Sequence, residues 1–270
     1  MVTLEDTPIS SSLQGEQLAP DAVRSISGHV DCLRSAGSLE EIALRLAEVS
    51  RELGFAYHAL VQHADIARPP RQFLFMQNYP AAWVDTYARG GLHRVDPARR
   101  LAGYRPGSFA WSEIPRFGRL SVLEARMMDE AHGAGLGEGV TVPLHAFGER
   151  AASCSFVTAS GQDLPADALW TAEAVARAAF SAIFDLTHRG RSKRLPRLTP
   201  RQLQCIELVG QGKSDWAIGT ILGLTEDTVT AYLRAARQVL GVSSRTQLAV
   251  AAIAYGLIGV GDMVSWQSPP

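Results

Sequence analysis

Apolar residues recur at helical spacing through residues 21–36 and again through 39–53, with polar positions on the opposite faces, which predicts two amphipathic helices. The rhythm then changes to alternation: FAYHALVQH (55–63) and RQFLFMQN (71–78) have the composition and period of strands. Residues 81–89 return to a helical pattern. Asp96-Pro97 supplies a capping carboxylate and a first-turn proline for another helix, and a further one spans 120–134. EGVTVPLHA (138–146) and AASCSFVTA (151–159), rich in β-branched residues and joined by a short turn around Gly148, predict a hairpin. A long helix follows over 166–188. Helices before, within and after the strands imply an antiparallel sheet covered on both faces, an α/β/α sandwich.

The stretch HRGRSKRLPRLTP (188–200) combines a charge run with two prolines between two periodic regions, the signature of a linker. This divides the chain into a loose N-terminal arm (1–20), a first domain (21–188), a basic linker (189–198) and a second domain (199–270). The second domain reads as four helices. Thr199-Pro200 starts the first, with Leu203, Ile206, Leu208 and Val209 inward and Gly212 at its end. Ser214 caps the second, which buries Ile218, Ile221 and Leu222 and stops at Gly223, and Leu224 plugs the turn. Thr225 caps the third, where Val229, Leu233, Ala236 and Leu240 form one apolar stripe and Thr228, Thr230, Arg234 and Arg237 lie on the other face. The fourth spans 245–256. The fold class is therefore α+β, a sandwich with a central antiparallel sheet followed by an all-α, four-helix domain.

A hydrophobic content of 46% with 20% charged residues suits a soluble globular chain, and no apolar run approaches the ~18 residues of a membrane span. The polar N-terminus lacks the basic start and apolar stretch of a signal peptide, so a cytoplasmic location without membrane contact is expected. Cys32, Cys154 and Cys205 are far apart, which argues against a zinc site or a disulfide framework and for buried thiols. The net charge of −1 conceals segregation: residues 189–245 carry ten Lys/Arg against four carboxylates, while 1–188 carry sixteen against twenty-two. A polyanion-binding module and a merely solvated linker both fit that block.

Two short helices around a tight Gly-Leu turn, the second presenting hydroxyls and arginines, fit the major groove of DNA, and an ordinary bundle with a solvated face fits the same spacing. Arginine suits a reading face because its planar fork bonds guanine or phosphate twice, and threonine reaches a phosphate or a thymine methyl. GQGKS (210–214) is no phosphate loop, since that motif needs glycine at 207, which is Glu207, and a preceding strand. In the first domain Tyr79, Trp83, Tyr87, Phe109 and Trp111 gather with Asp96, which describes either an aromatic-walled ligand pocket or a well-filled core. An enzyme would draw on Ser153, Cys154 or Ser155 with His145, but ASCSF lacks the GxSxG elbow.

The segment LTPRQLQCIELVGQGKSDWAIGTILGLTEDTVTAYLRAARQVLGVSSRTQLAVAA resembles the DNA-binding domain of LuxR-family transcriptional regulators, with Gln202 where the family usually has Glu. That resemblance implies Thr228, Thr230, Arg234 and Arg237 as the DNA-binding residues and the last helix as a dimerisation helix. A symmetric dimer would bind an inverted repeat of double-stranded DNA, with RNA polymerase as a further partner if the protein activates. Upstream, NYPAAWVDTYARGGLHRVDP (78–97), SFAWSEI (108–114) and GLGEGVTVPLHAFGERAASCSF (135–156) resemble the acyl-homoserine-lactone-binding domain of quorum-sensing LuxR regulators. By that resemblance Trp83, Asp96 and Tyr79 bind the lactone carbonyl, the amide N–H and the amide carbonyl, and Ser155 offers a second hydroxyl. Tyr87 and Trp111 wall the head group, Ala59, Val61, Met127, Leu136 and Thr141 surround the acyl tail, and Gly139 permits close packing. Val84 departs from members that carry Arg there to hold a 3-oxo group through water. The expected protein is a dimeric, ligand-gated transcription factor and not an enzyme, whose regulatory ligand is an acyl- or aryl-homoserine lactone and which needs no cofactor or metal; a ligand-independent dimerisation domain is the alternative for the first module.

Overall fold

The computed structural model describes residues 20–64, 70–71, 73–146, 149–188 and 196–263. The N-terminal arm, the turn at Gly148 and most of the proposed linker lie outside the described residues. Helices Pro20–Arg34 (α1) and Leu39–Glu52 (α2) open the first domain. Strands Tyr57–Gln62 (β1) and Phe75–Gln77 (β2) follow, then helices Ala81–Arg89 (α3) and Pro97–Ala102 (α4), the short strand Phe109–Ala110 (β3) and helix Val122–Gly133 (α5). The hairpin Leu136–Leu144 (β4) and Ala152–Ala159 (β5) and helix Ala168–Thr187 (α6) complete it. The antiparallel sheet runs β2-β1-β5-β4-β3. β3 escapes the sequence pattern because two residues cannot show an alternation.

Period-two alternation sends neighbouring residues of each strand into different layers. Leu60, Val140, Val142, Cys154 and Phe156 pack with α1, α2 and α6. Ala172, Ala176 and Ala179 of α6 are fully buried and let that helix lie close to the sheet. The opposite face meets α3, α4 and α5 through Trp83, Leu101, Trp111, Met127 and Val157. The expected sandwich is present, with one tightly filled layer and one, described below, that holds a cavity. Cys154 and Cys205 are buried, whereas Cys32 is exposed on α1 against expectation, because its position lies off the stripe that carries Leu33.

The second domain comprises Pro200–Gly210 (α7), Asp215–Leu222 (α8), Glu226–Leu240 (α9) and Arg245–Ala254 (α10). Thr199, Ser214, Thr225 and Ser244 cap these helices through their hydroxyls, as the sequence predicts for the first three. Ile206, Ile218, Val229, Leu233, Ala236, Leu248 and Ala252 form the core. Ile221 is a correction: it is 55% exposed, because the buried positions of the short α8 are Ile218 and Gly219 and residue 221 falls beyond that face. Gly219 is required at the crossing, since a Cβ there would stand 2.7 Å from the Leu224 carbonyl oxygen.

Candidate functional site

The segment after β2 is pinned to β1 by Asn78, whose Oδ1 accepts the His58 N–H at 2.6 Å and whose amide donates to the Ala56 carbonyl at 3.1 Å. Gln77 Oε1 accepts the Tyr79 N–H at 2.6 Å, so Tyr79 is held with its ring 6.1 Å from that of Tyr57. Pro80 then starts α3, and the i, i+4 spacing brings Trp83 and Tyr87 side by side with centroids 5.8 Å apart.

Asp96 serves two neighbours at once. Its Oδ1 caps α4 by accepting the Ala98 and Arg99 N–H groups at 2.9 and 3.1 Å, and its Oδ2 accepts the Tyr87 hydroxyl at 2.7 Å. Burial pushes the Asp96 carboxyl above the ordinary carboxylate range, against the pull of those three hydrogen bonds. Burial and the Asp96 charge push both the Tyr79 and Tyr87 phenols upward, so each keeps its proton. The Arg100 guanidinium reaches Glu124 at 2.6 Å and ties α4 to α5, which braces the turn bearing Asp96.

Between these side chains and the sheet lies a cavity of about 80 Å³, smaller than the ~300–1,000 Å³ of small-molecule sites, so a ligand has to widen it. Tyr79, Trp83, Tyr87, Asp96, Trp111, Met127, Leu136, Ala59, Val61 and Ser155 all line it. Thr141 does not. It stands behind the wall, where its hydroxyl oxygen accepts the Trp111 indole N–H at 2.9 Å and lies 2.8 Å from Ser155 Oγ. When Thr141 donates to Ser155, the Ser155 proton is left for the cavity. Trp111 lies so close over Gly139 that a Cβ there would be 2.6 Å from its ring. The buried Trp83 makes no side-chain hydrogen bond among the described residues, so its indole N–H is available to a ligand.

Residue-by-residue reasoning missed His63, Arg99, Ser153, Phe75 and Gln77 on the same wall. Alternation would have found most of them: Ala59, Val61 and His63 share one face, as do Ser153 and Ser155, and Phe75 and Gln77. His63 Nε2 lies 2.9 Å from Ser153 Oγ, and burial, with the nearby Arg99 and His145, pushes its pKa down to about 4. Of the residues considered for an enzyme, Ser153 and Ser155 line the cavity, whereas Cys154 packs into the opposite layer and His145 bonds the Ala102 carbonyl at 2.9 Å.

In the second domain Gly223 adopts a left-handed conformation (φ 67°) that ends α8, and Thr225 restarts the chain as α9. Thr228 pairs its hydroxyl with that of Thr225 at 2.8 Å. Thr230 donates to Asp215 Oδ2 at 2.8 Å, and Asp215 also takes the Arg245 guanidinium, so one carboxylate fastens α9 and α10 to α8. Arg237 makes a long contact, 3.4 Å, to the Ser243 carbonyl. Arg234 is exposed and makes no hydrogen bond or ion pair among the described residues.

Two family profiles match the chain: Autoinducer binding domain over residues 38–185, and Bacterial regulatory proteins, luxR family, over 196–252. The chain belongs to the LuxR family. Its LuxR-family relatives include the HTH-type quorum sensing-dependent transcriptional regulator RpaR of Rhodopseudomonas palustris, 32% identical over 67% of this chain and 73% of that one. The transcriptional activator protein BjaR1 of Bradyrhizobium diazoefficiens is 30% identical over 69% of this chain and 76% of its own. The crystal structure of Escherichia coli SdiA covers 87% of this chain and 98% of that one with a TM-score of 0.59; at 22% identity the likeness is one of fold. This LuxR-family protein is a ligand-responsive, DNA-binding regulator of the quorum-sensing kind, and its relatives are regulators rather than enzymes. Among the described residues no helix is long and apolar enough to cross a membrane.

Proposed function

We propose that the cavity binds an acyl-homoserine lactone, with its polar head at Tyr79, Trp83 and Asp96 and its acyl group along Ala59, Val61, Met127 and Leu136. The observation that carries this reading is the pairing, on one cavity wall, of a buried carboxylate and an unpartnered indole N–H. Trp donates only and an ionised Asp accepts only, so together they orient a head group that has a carbonyl on one side and an amide N–H on the other. Oδ1 of Asp96 is already filled by two backbone N–H groups, which leaves the second lone pair of Oδ2 for the ligand amide. Thr141 acts from behind, orienting Trp111 and Ser155. Val84 lines the cavity and offers no donor, so a 3-oxo group gains nothing at that position.

The ligand reading is tested by melting the full chain against acyl-homoserine lactones of graded length. A saturable rise of several degrees is expected, and no shift with any member of a broad panel overturns it. For the DNA end, we infer that Thr228, Arg234 and Arg237 contact the major groove of an inverted-repeat site while Thr230 holds α9 in place. Val250, 60% exposed on α10, suits the contact between two copies that such a site requires. Arg234→Ala is expected to weaken binding to the site by about 1–3 kcal/mol, read by titration with labelled duplex. Unchanged affinity and sequence preference would remove the assignment.

A further inference from the structure

The acyl-homoserine-lactone reading leaves one group on the cavity wall without a task. Arg99 follows Asp96 by three residues, and its guanidinium reaches the end of β1, where Nη2 donates to the Ala64 carbonyl at 2.5 Å. Nη1 is buried and has no hydrogen-bond partner. A buried, unpaired N–H on a cation is costly, and a hydrocarbon tail cannot relieve it. His63 and Ser153, joined at 2.9 Å, lie on the same wall. Because burial and Arg99 hold His63 neutral, this end of the cavity presents one positive charge and two neutral polar groups.

The sheet register sets its distance from the head group. Ser155 pairs with Ala59 and Ser153 with Val61, and the His63 N–H donates to the Ala151 carbonyl. Moving from the Ser155 level toward Ser153 and then His63 covers two to four residues, ~7–14 Å at ~3.4 Å per residue. A single short helix, α4, thus carries both poles: Asp96 at its cap for a donor and Arg99 in its first turn for an acceptor.

Resting on the lactone reading above, we propose that Arg99, with His63 and Ser153, forms a second recognition pole that selects signals whose acyl group bears an oxygen acceptor, a hydroxyl or a carboxylate, ~7–14 Å from the amide. A methyl-ended tail of the same length would leave Nη1 unpaired, and sites built to bond a polar group discriminate strongly against analogues that lack it.

The test uses the full chain and three series of homoserine lactones matched in length: alkanoyl, ω-hydroxyalkanoyl and ω-carboxyalkanoyl. Half-saturating concentrations are read from thermal shifts. At one or more lengths, an oxygen-bearing ligand is expected to bind at least tenfold tighter than its methyl-ended counterpart, and the better of the two shows whether charge or hydrogen bonding dominates. Arg99→Met should abolish or reverse the preference, and Arg99→Lys should retain part of any carboxylate preference. The second pole is overturned if the methyl-ended series binds as tightly at every length, or if Arg99→Met leaves the ranking intact; the lactone reading survives both. If no series shifts the melting curve, both fall. Should Arg99→Met fail to fold, the wild-type ranking and Ser153→Ala, expected to narrow the preference, decide.

Discussion

Asp96→Asn separates the two duties of that carboxylate. The amide oxygen retains the cap on Ala98 and Arg99, since Asn and Asp cap helices about equally. The amide nitrogen then meets Tyr87, whose hydroxyl oxygen can accept, so the ligand-free packing survives. The variant also removes a buried charge. Since folding raises the Asp96 pKa, its ionisation costs the folded state stability as pH rises above the unfolded value. Ligand-free Asp96→Asn should therefore melt at or above the wild type at pH 7, with the gap closing as pH falls toward the acid range. Binding behaves oppositely, because a charge-assisted hydrogen bond is replaced by two donors facing each other, a loss of about 3 kcal/mol or roughly 150-fold. At one hundred times the wild-type Kd, the ligand stabilises the wild type by about 2.7 kcal/mol, or roughly 5–11 °C, and the variant by about 0.3 kcal/mol, or roughly 1 °C. Thermal melts with and without ligand read both quantities. A wild-type ligand response in the variant would sink the assignment of Asp96 to the ligand amide, and a collapse of the ligand-free variant would show that its structural duty dominates.

Gly139→Ala would drive a methyl into the Trp111 ring and loosen the indole's bond to Thr141; a loss of about 1–3 kcal/mol is expected in denaturant melts, and a neutral result would mean the ring moves freely. Gly219→Ala crowds the Leu224 carbonyl and should abolish DNA binding in a gel-shift titration while the ligand-induced melting shift persists. Retained DNA affinity would contradict a tight α8–α9 crossing. His58 is buried, and burial pushes its pKa down to about 4 from 6.5. The unfolded chain therefore binds the extra proton, and stability should fall by up to about 3 kcal/mol as pH drops through that window. His58→Gln should flatten the melting-temperature profile there, and an unchanged slope would assign the effect to other groups.

The alternation of β1, β4 and β5 and the caps of α4, α7, α8 and α9 were legible in the chain because each rests on contacts a few residues apart. The cavity was not legible in that way. Tyr79, Trp83 and Asp96 come from one stretch, but whether aromatic side chains fill a core or surround a void depends on what the sheet opposite supplies, which no local pattern carries. The family resemblance pointed to the pocket where spacing alone favoured a filled core. Arg99 illustrates the remaining gap: in sequence it is a first-turn helix residue following a cap and a proline, as suited to solvent as to anything else. Only the meeting of α4 with the end of β1 brings it to a cavity wall. Thr230 shows the same gap: it stands among the outward residues of α9, and only the fold brings its hydroxyl to Asp215, a partner fifteen positions away.

The two layers of the first domain differ in what they need in order to stand. The layer of α1, α2 and α6 is closed by Leu, Ile, Val, Phe and small alanines that are almost wholly buried. The layer of α3, α4 and α5 holds a cavity of about 80 Å³ lined by a carboxylate, two phenols and a guanidinium. Left dry, a void of that size would cost about 2 kcal/mol at ~24 cal/mol per Å³, a sizeable share of the ~5–15 kcal/mol that stabilises a typical domain. On the proposed reading, a signal with an apolar body and a donor for Asp96 would fill that void, satisfy the carboxylate and join α3 and α4 to the sheet. The free energy it would deliver falls on the less completely filled layer, so binding in this cavity would act on the fold itself.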